Sequence, residues 1–194
     1  MIHPDTELRY KNAEVGYGVF ATRAIAAGTI VWTLCPLDRR FSAAERAALA
    51  PASRELVDLY AYVDAAGDFI LCWDHGRFVN HSCQPAMVGL GPEIEVAVRD
   101  LAPGDELSCD YGSLNLLQPL ACRCGAAACR SEISAGDLLR IADELDHAAA
   151  QVLPRIGQVT QPLMPFVRDA GRLSEWLAGA SQPPSSRSYL FDAT

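Results

Sequence analysis

The feature that most constrains this chain is a run of nine residues, Arg77 to Pro85, that reads R-F-V-N-H-S-C-Q-P. The run places apolar, amide, imidazole, hydroxyl and thiol side chains close together. It has more polar groups than an ordinary buried strand could provide with hydrogen-bond partners. A second dense run, Gly104 to Gly112, reads G-D-E-L-S-C-D-Y-G, and residues 122–129 then read C-R-C-G-A-A-A-C. We predict that these three segments come together in one site.

The cysteines indicate a metal site. The chain has seven, an odd number, and Cys122, Cys124 and Cys129 fall within eight residues, too close together to pair well as disulfides. A tetrahedral zinc site needs four ligands, so the fourth must come from elsewhere in the chain. The residues that could supply it are Cys83, Cys109, Cys72, Cys35 and a histidine. Free buried cysteines are the alternative, and the short glycine- and alanine-rich loop favours the metal.

The length and charge of the chain limit its class and its partners. A chain of 194 residues is long enough for one sizeable core and short for two, and its 50% hydrophobic and 21% charged residues predict a globular fold. Sixteen basic residues against 24 acidic ones give a net charge of −8. This charge argues against direct binding of nucleic acid and favours a basic partner such as a lysine-rich protein tail, although solubility alone would also explain it.

We expect the protein to be neither membrane-spanning nor exported. Its apolar runs are too short to cross a bilayer, and Met1 to Asp5 lacks the charged-then-apolar pattern of a signal peptide. Together with cysteines suited to a reducing compartment, this predicts a cytoplasmic location, or a nuclear one if the organism is eukaryotic.

Short strands and turns dominate the chain from residue 8 to residue 112. β-Branched and aromatic residues, or alternating apolar and polar residues, mark the strands. The predicted strands lie at 8–21, in two short segments around a glycine-containing turn, and at 29–34, 69–73, 94–98 and 106–110. A helical insertion is predicted at about 40–60, where Ser42 and Glu45 form a capping box and a second helix runs from Ser53 towards Leu59.

After the second polar run the pattern becomes helical. Ser134 and Asp137 predict a cap for an amphipathic helix that ends at Pro154, and another helix is predicted at about 165–179. The predicted segments are a C-terminal helical segment at 134–180 and an extended or mobile tail at 181–194.

The order R-F-V-N-H-S-C, then G-D-E-L-S-C-D-Y-G, then C-x-C-x4-C resembles the SET-domain protein-lysine methyltransferases with a post-SET zinc motif. The resemblance covers roughly residues 8–131 and is strongest from Arg77 onward. It implies a mainly β structure with helical additions, the β-clip fold of short strands with a knot-like C-terminal closure, followed by C-terminal helices. It also implies a SET domain at 8–112 and a post-SET zinc motif at 113–131.

The resemblance implies that S-adenosylmethionine is the cofactor. In the family a G-x-G near the N-terminus contributes main-chain contacts to it, which here would be Gly16, Tyr17 and Gly18. A plain turn between strands would use the same residues. The family's N-H pair, Asn80 and His81 here, holds the cofactor by side-chain and backbone hydrogen bonds.

The family's usual fourth zinc ligand is the cysteine of the N-H-S-C run, which is Cys83 in this chain. The resemblance therefore implies a site made of Cys83, Cys122, Cys124 and Cys129. Four thiolates leave no open coordination position, so this zinc would be structural and would not activate water.

Tyr111 matches the tyrosine that the family uses at the methyl-transfer centre, where the hydroxyl orients the amine and the methyl group. The resemblance thus implies that Tyr111 is catalytic and contacts the cofactor. We choose Tyr60 over Tyr62 as the second tyrosine of the lysine channel, and we expect the two on one face of an extended segment. Cys109 stands where the family commonly has phenylalanine or tyrosine, so we predict a roomier pocket able to reach di- or trimethylation.

Methyl transfer to lysine requires a neutral amine in line with the donor carbon. A free lysine has a pKa of about 10.4 and is protonated at neutral pH. An apolar aromatic channel makes deprotonation easier by desolvation, and a nearby sulfonium acts in the same direction by charge repulsion.

Other functional classes remain open. A zinc-stabilised interaction module without activity would keep the cysteines but need not keep Asn80, His81 and Tyr111. A zinc hydrolase would need an open metal position, and the chain has no H-E-x-x-H or similar motif. Thiol catalysis by Cys83 and His81 is disfavoured because we expect these two side chains to point apart.

Overall fold

The computed structural model describes residues 1–191, which form twelve short strands and four α-helices. The strands are β1 (Thr6–Asn12), β2 (Gly16–Ala21), β3 (Ile30–Thr33), β4 (Arg39–Phe41), β5 (Tyr62–Val63), β6 (Phe69–Leu71), β7 (Asn80–His81), β8 (Met87–Gly89), β9 (Ile94–Ala97), β10 (Glu106–Cys109), β11 (Leu120–Ala121) and β12 (Glu132–Ile133). The helices are α1 (Ala43–Ala48), α2 (Pro51–Tyr60), α3 (Leu138–Ile156) and α4 (Ala170–Leu177). The mainly β architecture with helical additions confirms the predicted fold class.

A four-stranded sheet in the order β1-β2-β10-β7 positions the site. β1 and β2 form an antiparallel hairpin, and β2 pairs antiparallel with β10. β10 pairs in parallel with β7, so that Ser108 lies opposite Asn80 and Cys109 lies opposite His81. A parallel pair needs a long crossover, and here the crossover carries β8 and β9. The sheet therefore brings the two polar runs of the sequence together.

Three smaller sheets, β3-β9-β8, β4-β6-β5 and β11-β12, surround this one. The largest hydrophobic cluster lies behind the site and includes Val19, Leu107 and Cys109. A second cluster packs Ile94 and Val96 of β9 against α3 and α4. The C-terminal helices thus cover one face of β9 and leave its other face directed towards the site.

The helical insertion forms as predicted, with one difference. The Ser42 hydroxyl accepts from the N–H of Glu45 at 3.2 Å, and the Glu45 carboxylate accepts from the N–H of Ser42 at 2.8 Å, which completes the capping box. α2 begins at Pro51 rather than near Ser53, because the fixed φ and missing N–H of proline suit a first helical turn. It ends at Tyr60, so the extended conformation predicted for that residue is wrong.

The C-terminal helices also differ in extent from the prediction. α3 follows the capping box of Ser134 and Asp137, but it continues through Pro154 to Ile156. The proline removes only the one helix bond that its own N–H would make, and the fully buried Ile156 keeps the last turn packed. A 3-10 turn at Met164–Phe166 replaces the start of the second helix, which is shorter than predicted. None of the helices among residues 1–191 has the length and apolar content needed to span a bilayer.

The prediction of an extended or mobile tail, made for 181–194, is wrong for Ser185–Phe191. Ser185–Phe191, which we call the C-terminal strap, contains a 3-10 turn at Ser186–Tyr189 that lies on α3. Asp146 of α3 accepts from the Ser185 hydroxyl at 2.6 Å and from the Ser186 N–H at 2.7 Å. Residues 192–194 of the predicted tail lie outside the described residues.

The other end of the strap is held by Asn115. Its amide donates to the carbonyl of Tyr189 at 2.7 Å and to that of Val63 at 2.9 Å, and its oxygen accepts from the N–H of Phe191 at 2.9 Å. Three backbone groups from two distant segments thus converge on one buried side chain. The strap is part of the folded domain.

We expect Asp146→Ala to release the strap. The substitution removes the acceptor for two hydrogen bonds. Because hydrogen bonds to a charged group are among the stronger ones, the free energy of strap opening should fall by about 1–3 kcal/mol. Hydrogen exchange should become faster in the strap amides. Glu144→Ala, an exposed carboxylate on the same helix, is the control, and unchanged exchange in Asp146→Ala would contradict the assignment.

The pH dependence should agree with this result. Burial acts to raise the pKa of Asp146, but the hydrogen bonds from Ser185 and Ser186 outweigh it and lower the pKa below 3.8. A carboxyl with a lowered pKa stabilises the fold fully above its unfolded value and loses that contribution as the pH falls below it. Strap protection in the unmodified protein should therefore decrease in acid.

Candidate functional site

Tyr111 and His81 meet where β7 and β10 end. The N–H of Tyr111 donates to Nδ1 of His81 at 3.1 Å, and the hydroxyl of Tyr111 donates to the carbonyl of Val79 at 2.7 Å. The N–H of Ser82 bonds the carbonyl of Cys109 at 3.0 Å and extends the parallel pairing by one step. The backbone and the hydroxyl of Tyr111 are therefore both held by the R-F-V-N-H-S-C run.

Asn80 connects the same run to the glycine turn. Its amide donates to the carbonyl of Tyr17 at 3.0 Å and to Oε1 of Glu106 at 2.8 Å. A Cβ added at Gly18 would lie 2.6 Å from that same Glu106 oxygen and 2.9 Å from the Asn80 amide nitrogen, so a larger residue would force these side chains to shift. Gly16 has a φ of +78°, which also favours glycine. Gly18 thus allows the close approach of Asn80 to the backbone, and Gly16 allows the turn that precedes it.

A row of aromatic rings runs from the glycine turn to the predicted lysine channel. Tyr17, which is 47% exposed, makes an edge-to-face contact with Phe78 at a centroid distance of 6.0 Å. Phe78 makes the same type of contact with Tyr60 at 5.0 Å. Such contacts hold rings in defined orientations. The row joins the segment predicted to bind the cofactor to the end of α2.

A cavity of about 540 Å³ lies next to this row. Its lining includes Tyr60, Tyr62, Val79, Cys109 and Tyr111. Burial raises the pKa of the Tyr111 hydroxyl and that of the Cys109 thiol well above their ordinary values, so both groups are neutral at physiological pH. The cavity therefore presents uncharged tyrosine and thiol groups at the end nearest Asn80 and His81.

Both candidate channel tyrosines line the cavity, but from different elements. Tyr60 is the last residue of α2, and Tyr62 lies in β5, where its ring makes an edge-to-face contact with Trp32 at 6.1 Å. The sequence had predicted that the two tyrosines share one face of an extended segment, and that prediction is wrong. The choice of Tyr60 over Tyr62 stays a prediction.

The four cysteines assigned to zinc have sulfurs close together. The Sγ atom of Cys122 lies 3.7 Å from that of Cys83 and 3.5 Å from that of Cys129. The Sγ atom of Cys124 belongs to the same group and accepts the N–H of Cys83 at 3.4 Å. Tetrahedral zinc with Zn–S distances of about 2.3 Å would separate neighbouring sulfurs by about 3.8 Å. The sulfurs of Cys83, Cys122 and Cys124 fit zinc in both chemistry and spacing, and the sulfur of Cys129 lies next to that of Cys122.

The thiols also differ in charge. Burial acts to raise the pKa of Cys124, but N–H groups of Cys83 and Ala126 donate to its sulfur and lower the pKa to about 6. Burial raises the pKa of Cys122 to about 12 and also raises that of Cys83. Cys124 is therefore the ready thiolate at neutral pH, and a bound cation would be needed to keep the others deprotonated.

His81 is a fifth side chain at this cluster. Its Nε2 atom lies 3.2 Å from Sγ of Cys83, so the expectation that these two side chains point apart is wrong. Residues two apart on an extended segment share a face. Because the N–H of Tyr111 can only donate, Nδ1 of the neutral ring is the acceptor and the proton sits on Nε2, directed at Cys83. Burial lowers the pKa of His81, in agreement with a neutral ring. His81 thus donates to Cys83 and lies in one group of close donor atoms with Cys83, Cys122 and Cys124. The assignment of Cys129 as the fourth zinc ligand stays a prediction.

Sequence reasoning missed Arg130, which follows the last cysteine of the cluster. Its N–H donates to Sγ of Cys83 at 3.4 Å, and its Nη2 atom donates to Oδ1 of Asp110 at 2.6 Å. Its Nε atom lies 3.6 Å from the carboxylate of Asp137, whose side chain is 1% exposed. Arg130 therefore ties the cysteine loop to the residue before Tyr111 and to the cap of α3. A lone basic residue in the sequence gives no signal of this role.

Comparisons with known proteins now bear on this geometry. A family model described as SET domain matches residues 16–112, which are half of the chain. The protein belongs to the SET domain family. This confirms the predicted SET-domain fold, whereas the roles of the individual site residues stay predictions. No curated protein matches the chain.

Several solved structures are similar to the SET chain. KRYPTONITE in complex with mCHH DNA, an H3(1-15) peptide and SAH has 24% sequence identity and a TM-score of 0.48, over 68% of this chain and 30% of that one. KRYPTONITE in complex with mCHG DNA and SAH has 24% identity and a TM-score of 0.47, over 66% of this chain and 29% of that one. A putative histone methyltransferase of Plasmodium falciparum has 24% identity and a TM-score of 0.42, over 57% of this chain and 95% of that one. The chain thus spans less than a third of the KRYPTONITE chains.

We expect Cys122→Ser to abolish zinc binding. Cys122 lies between two other sulfurs, so its loss removes one ligand from the centre of the set. Elemental analysis of the purified protein should give one zinc per chain before the substitution and much less after it. Cys35→Ser changes a buried cysteine outside the cluster and should keep the metal. Equal zinc content in the two variants would contradict the assignment.

Proposed function

We propose that this SET protein transfers methyl groups from S-adenosylmethionine to the side-chain amine of lysine in a protein substrate. The observation that carries the proposal is the position of Tyr111. Its hydroxyl bonds Val79, its N–H bonds His81, and its ring lines the cavity beside Cys109. One side chain thus connects the N-H-S-C run with an enclosed space, and membership of the SET domain family supports the reaction class.

The cofactor would bind beside the glycine turn, held by Gly16, Tyr17, Gly18, Asn80 and His81, with Tyr111 at its reactive end. The absence of a side chain at Gly18 supports this assignment, because any Cβ there would collide with the Asn80 amide and its partner. The cofactor supplies an electrophilic methyl group on a sulfonium. The protein supplies alignment and the exclusion of water.

Tyr111 would orient the amine. Its hydroxyl proton is directed at the carbonyl of Val79, which leaves the oxygen free to accept an N–H of the substrate amine. Burial keeps this hydroxyl neutral, and the apolar surroundings that raise its pKa would lower that of an entering ammonium. Tyr60 would form part of the wall of the same channel. The site thereby favours the neutral amine that the displacement requires.

The zinc would act through structure. Cys83 belongs to the N-H-S-C run, and the other three ligands belong to the loop that precedes Arg130, so one ion would fasten the post-SET segment to the site. Four thiolates leave no position for substrate or water, and the metal therefore has no chemical step to perform.

The substrate would be a basic protein or peptide. The net charge of −8 supports a cationic partner and argues against direct contact with nucleic acid. The structures of KRYPTONITE contain DNA, and one of them also contains an H3(1-15) peptide. Both are ligands of KRYPTONITE. We place this protein in a reducing compartment, the cytoplasm or a eukaryotic nucleus, because its cysteines serve a thiolate cluster.

We expect Tyr111→Phe to reduce turnover while S-adenosylmethionine still binds. Loss of one oriented hydroxyl at a transfer centre lowers kcat by about 10²- to 10³-fold. Methylation of a mixed lysine peptide library with labelled cofactor measures turnover, and calorimetry measures binding. Tyr10→Phe, at a tyrosine that is 60% exposed, is the matched control and should leave both unchanged.

Asn80→Ala separates the enzyme from a non-catalytic interaction module. The enzyme should lose S-adenosylmethionine binding because the amide at the glycine turn is removed, while its zinc content stays the same. If the unmodified protein takes up zinc but neither binds S-adenosylmethionine nor methylates any peptide, the interaction module is the better description.

Cys109 should set the number of methyl groups added. A thiol leaves more space in the cavity than an aromatic ring, so we expect di- or trimethylated product from the unmodified protein and mainly monomethylated product from Cys109→Phe. Mass spectrometry at exhaustive turnover measures the distribution. Thermal unfolding of Cys109→Phe and Cys109→Ala controls for overpacking. Monomethylated product alone from the unmodified protein would contradict the prediction.

A further inference from the structure

Glu95 is a carboxylate inside the cavity that no step above uses. It lies in β9 between Ile94 and Val96, which pack into the cluster formed with α3 and α4. Because side chains alternate along a strand, Glu95 is directed to the opposite face, where it lines the cavity. A strand in the interior of the domain thus presents one carboxylate to an enclosed space.

The cross-strand neighbours of Glu95 form a frame around it. Trp32 of β3 and Gly89 of β8 are its register partners on the two adjacent strands. A Cβ added at Gly89 would lie 3.4 Å from the ring of Tyr189, so this ring of the C-terminal strap lies beside the glycine. Tyr62, Trp32 and Tyr189 all line the same cavity. The carboxylate is therefore surrounded by aromatic side chains.

Glu95 has no counter-charge within the described part of the chain. Its Oε2 atom is buried without a hydrogen-bond partner among residues 1–191. Burial alone, with no contribution from a neighbouring cation, raises its pKa to about 7. An unpaired buried carboxylate is costly, and a chain that retains one in a cavity is prepared for a partner from outside.

We propose that Glu95 binds a protonated basic side chain of the substrate, an ammonium or a guanidinium, inside the cavity. The proposal deepens the function proposed above and rests on it for the identity of the substrate. The aromatic surroundings suit such a cation, because ring faces attract ammonium and guanidinium groups. A charge-assisted hydrogen bond to Oε2 would satisfy the atom that the fold leaves without a partner.

Two sources supply this chemistry, the target lysine as an ammonium before it loses its proton, and a basic residue near it in the substrate. Cys109, Glu95 and Tyr111 all line the same cavity. The small thiol thus leaves the space between the carboxylate and the transfer centre open. The two sources can be distinguished with a peptide that has a single basic residue. Loss of Glu95 should lower its turnover only if the target lysine itself binds Glu95.

The first experiment measures cation binding without methyl transfer. The full chain with its zinc is titrated with methylguanidinium chloride and with n-butylammonium chloride, and the indole N–H resonance of Trp32 is followed by NMR. Tetramethylammonium chloride is added at equal ionic strength as a cation without an N–H group, which shows whether binding requires an N–H donor. We expect saturable chemical-shift changes in the unmodified protein. The affinity for the cations should fall about tenfold or more in Glu95→Gln, because the charged acceptor is lost.

The controls preserve the fold and the chemistry of the substitution. Glu93→Gln makes the same change at a carboxylate that pairs with Arg168 on the surface, and it should bind the cations like the unmodified protein. Glu95→Asp keeps the charge and should retain preference for cations that carry N–H groups. Equal binding by the unmodified protein and Glu95→Gln, or no binding by either, overturns the proposal.

The second experiment identifies the source with an oriented peptide library that has one central lysine and either basic or neutral flanking residues. If the target lysine uses Glu95, Glu95→Gln should lower turnover on all peptides, including those with a single basic residue. If a flanking residue uses it, only the preference for basic flanks should be lost. Turnover that is identical in rate and preference overturns the proposal. If no peptide is methylated by the unmodified protein, the proposed function fails, and the cation titration still decides the role of Glu95.

Discussion

The parallel pairing of β7 with β10 is the contact on which the site depends. It sets Asn80 beside Ser108 and His81 beside Cys109, across a separation of 28 residues in each pair. Because Tyr111 comes two residues after the end of β10, the same pairing brings its N–H to the imidazole of His81. The antiparallel pairing of β10 with β2 then adds the glycine turn. Three segments that are distant in the chain thus share one sheet.

The cysteine loop is held to this sheet by an ion pair as well as by a hydrogen bond to a cysteine sulfur. Arg130 bonds both Asp110 and the sulfur of Cys83, so the loop and the residue before Tyr111 have a common anchor. Burial acts to raise the pKa of Asp137, but its bonds with Arg140 and Ser134 outweigh this effect and lower it. The carboxylate therefore stays charged and continues to attract Arg130. This network connects the cysteine cluster, the catalytic candidate and the start of α3.

Local chemistry explains which parts of the fold were predictable. The capping box of Ser42 and Glu45 and the strand at 94–97 depend on residues close together in the chain, and both were predicted. The failures depend on distant partners. Pro154 stays helical because Ile156 is packed in the core, and the strap is ordered because Asp146 and Asn115 bind it. Tyr60 is helical because α2 extends to it, which changes its relation to Tyr62.

The sequence alone determined the family, the grouping of the N-H-S-C run with the D-Y-G run and the cysteines, and most of the secondary structure. These depend on residue identity and on short spacings, which the order of residues contains directly. Only the tertiary structure decided that Nε2 of His81 is directed at Cys83 and that Arg130 joins the loop to Asp110. It also decided that Glu95 lies in a cavity without a counter-charge among residues 1–191. The physical reason is that burial and counter-charge are properties of a place in the fold, and strands far apart in the chain create that place.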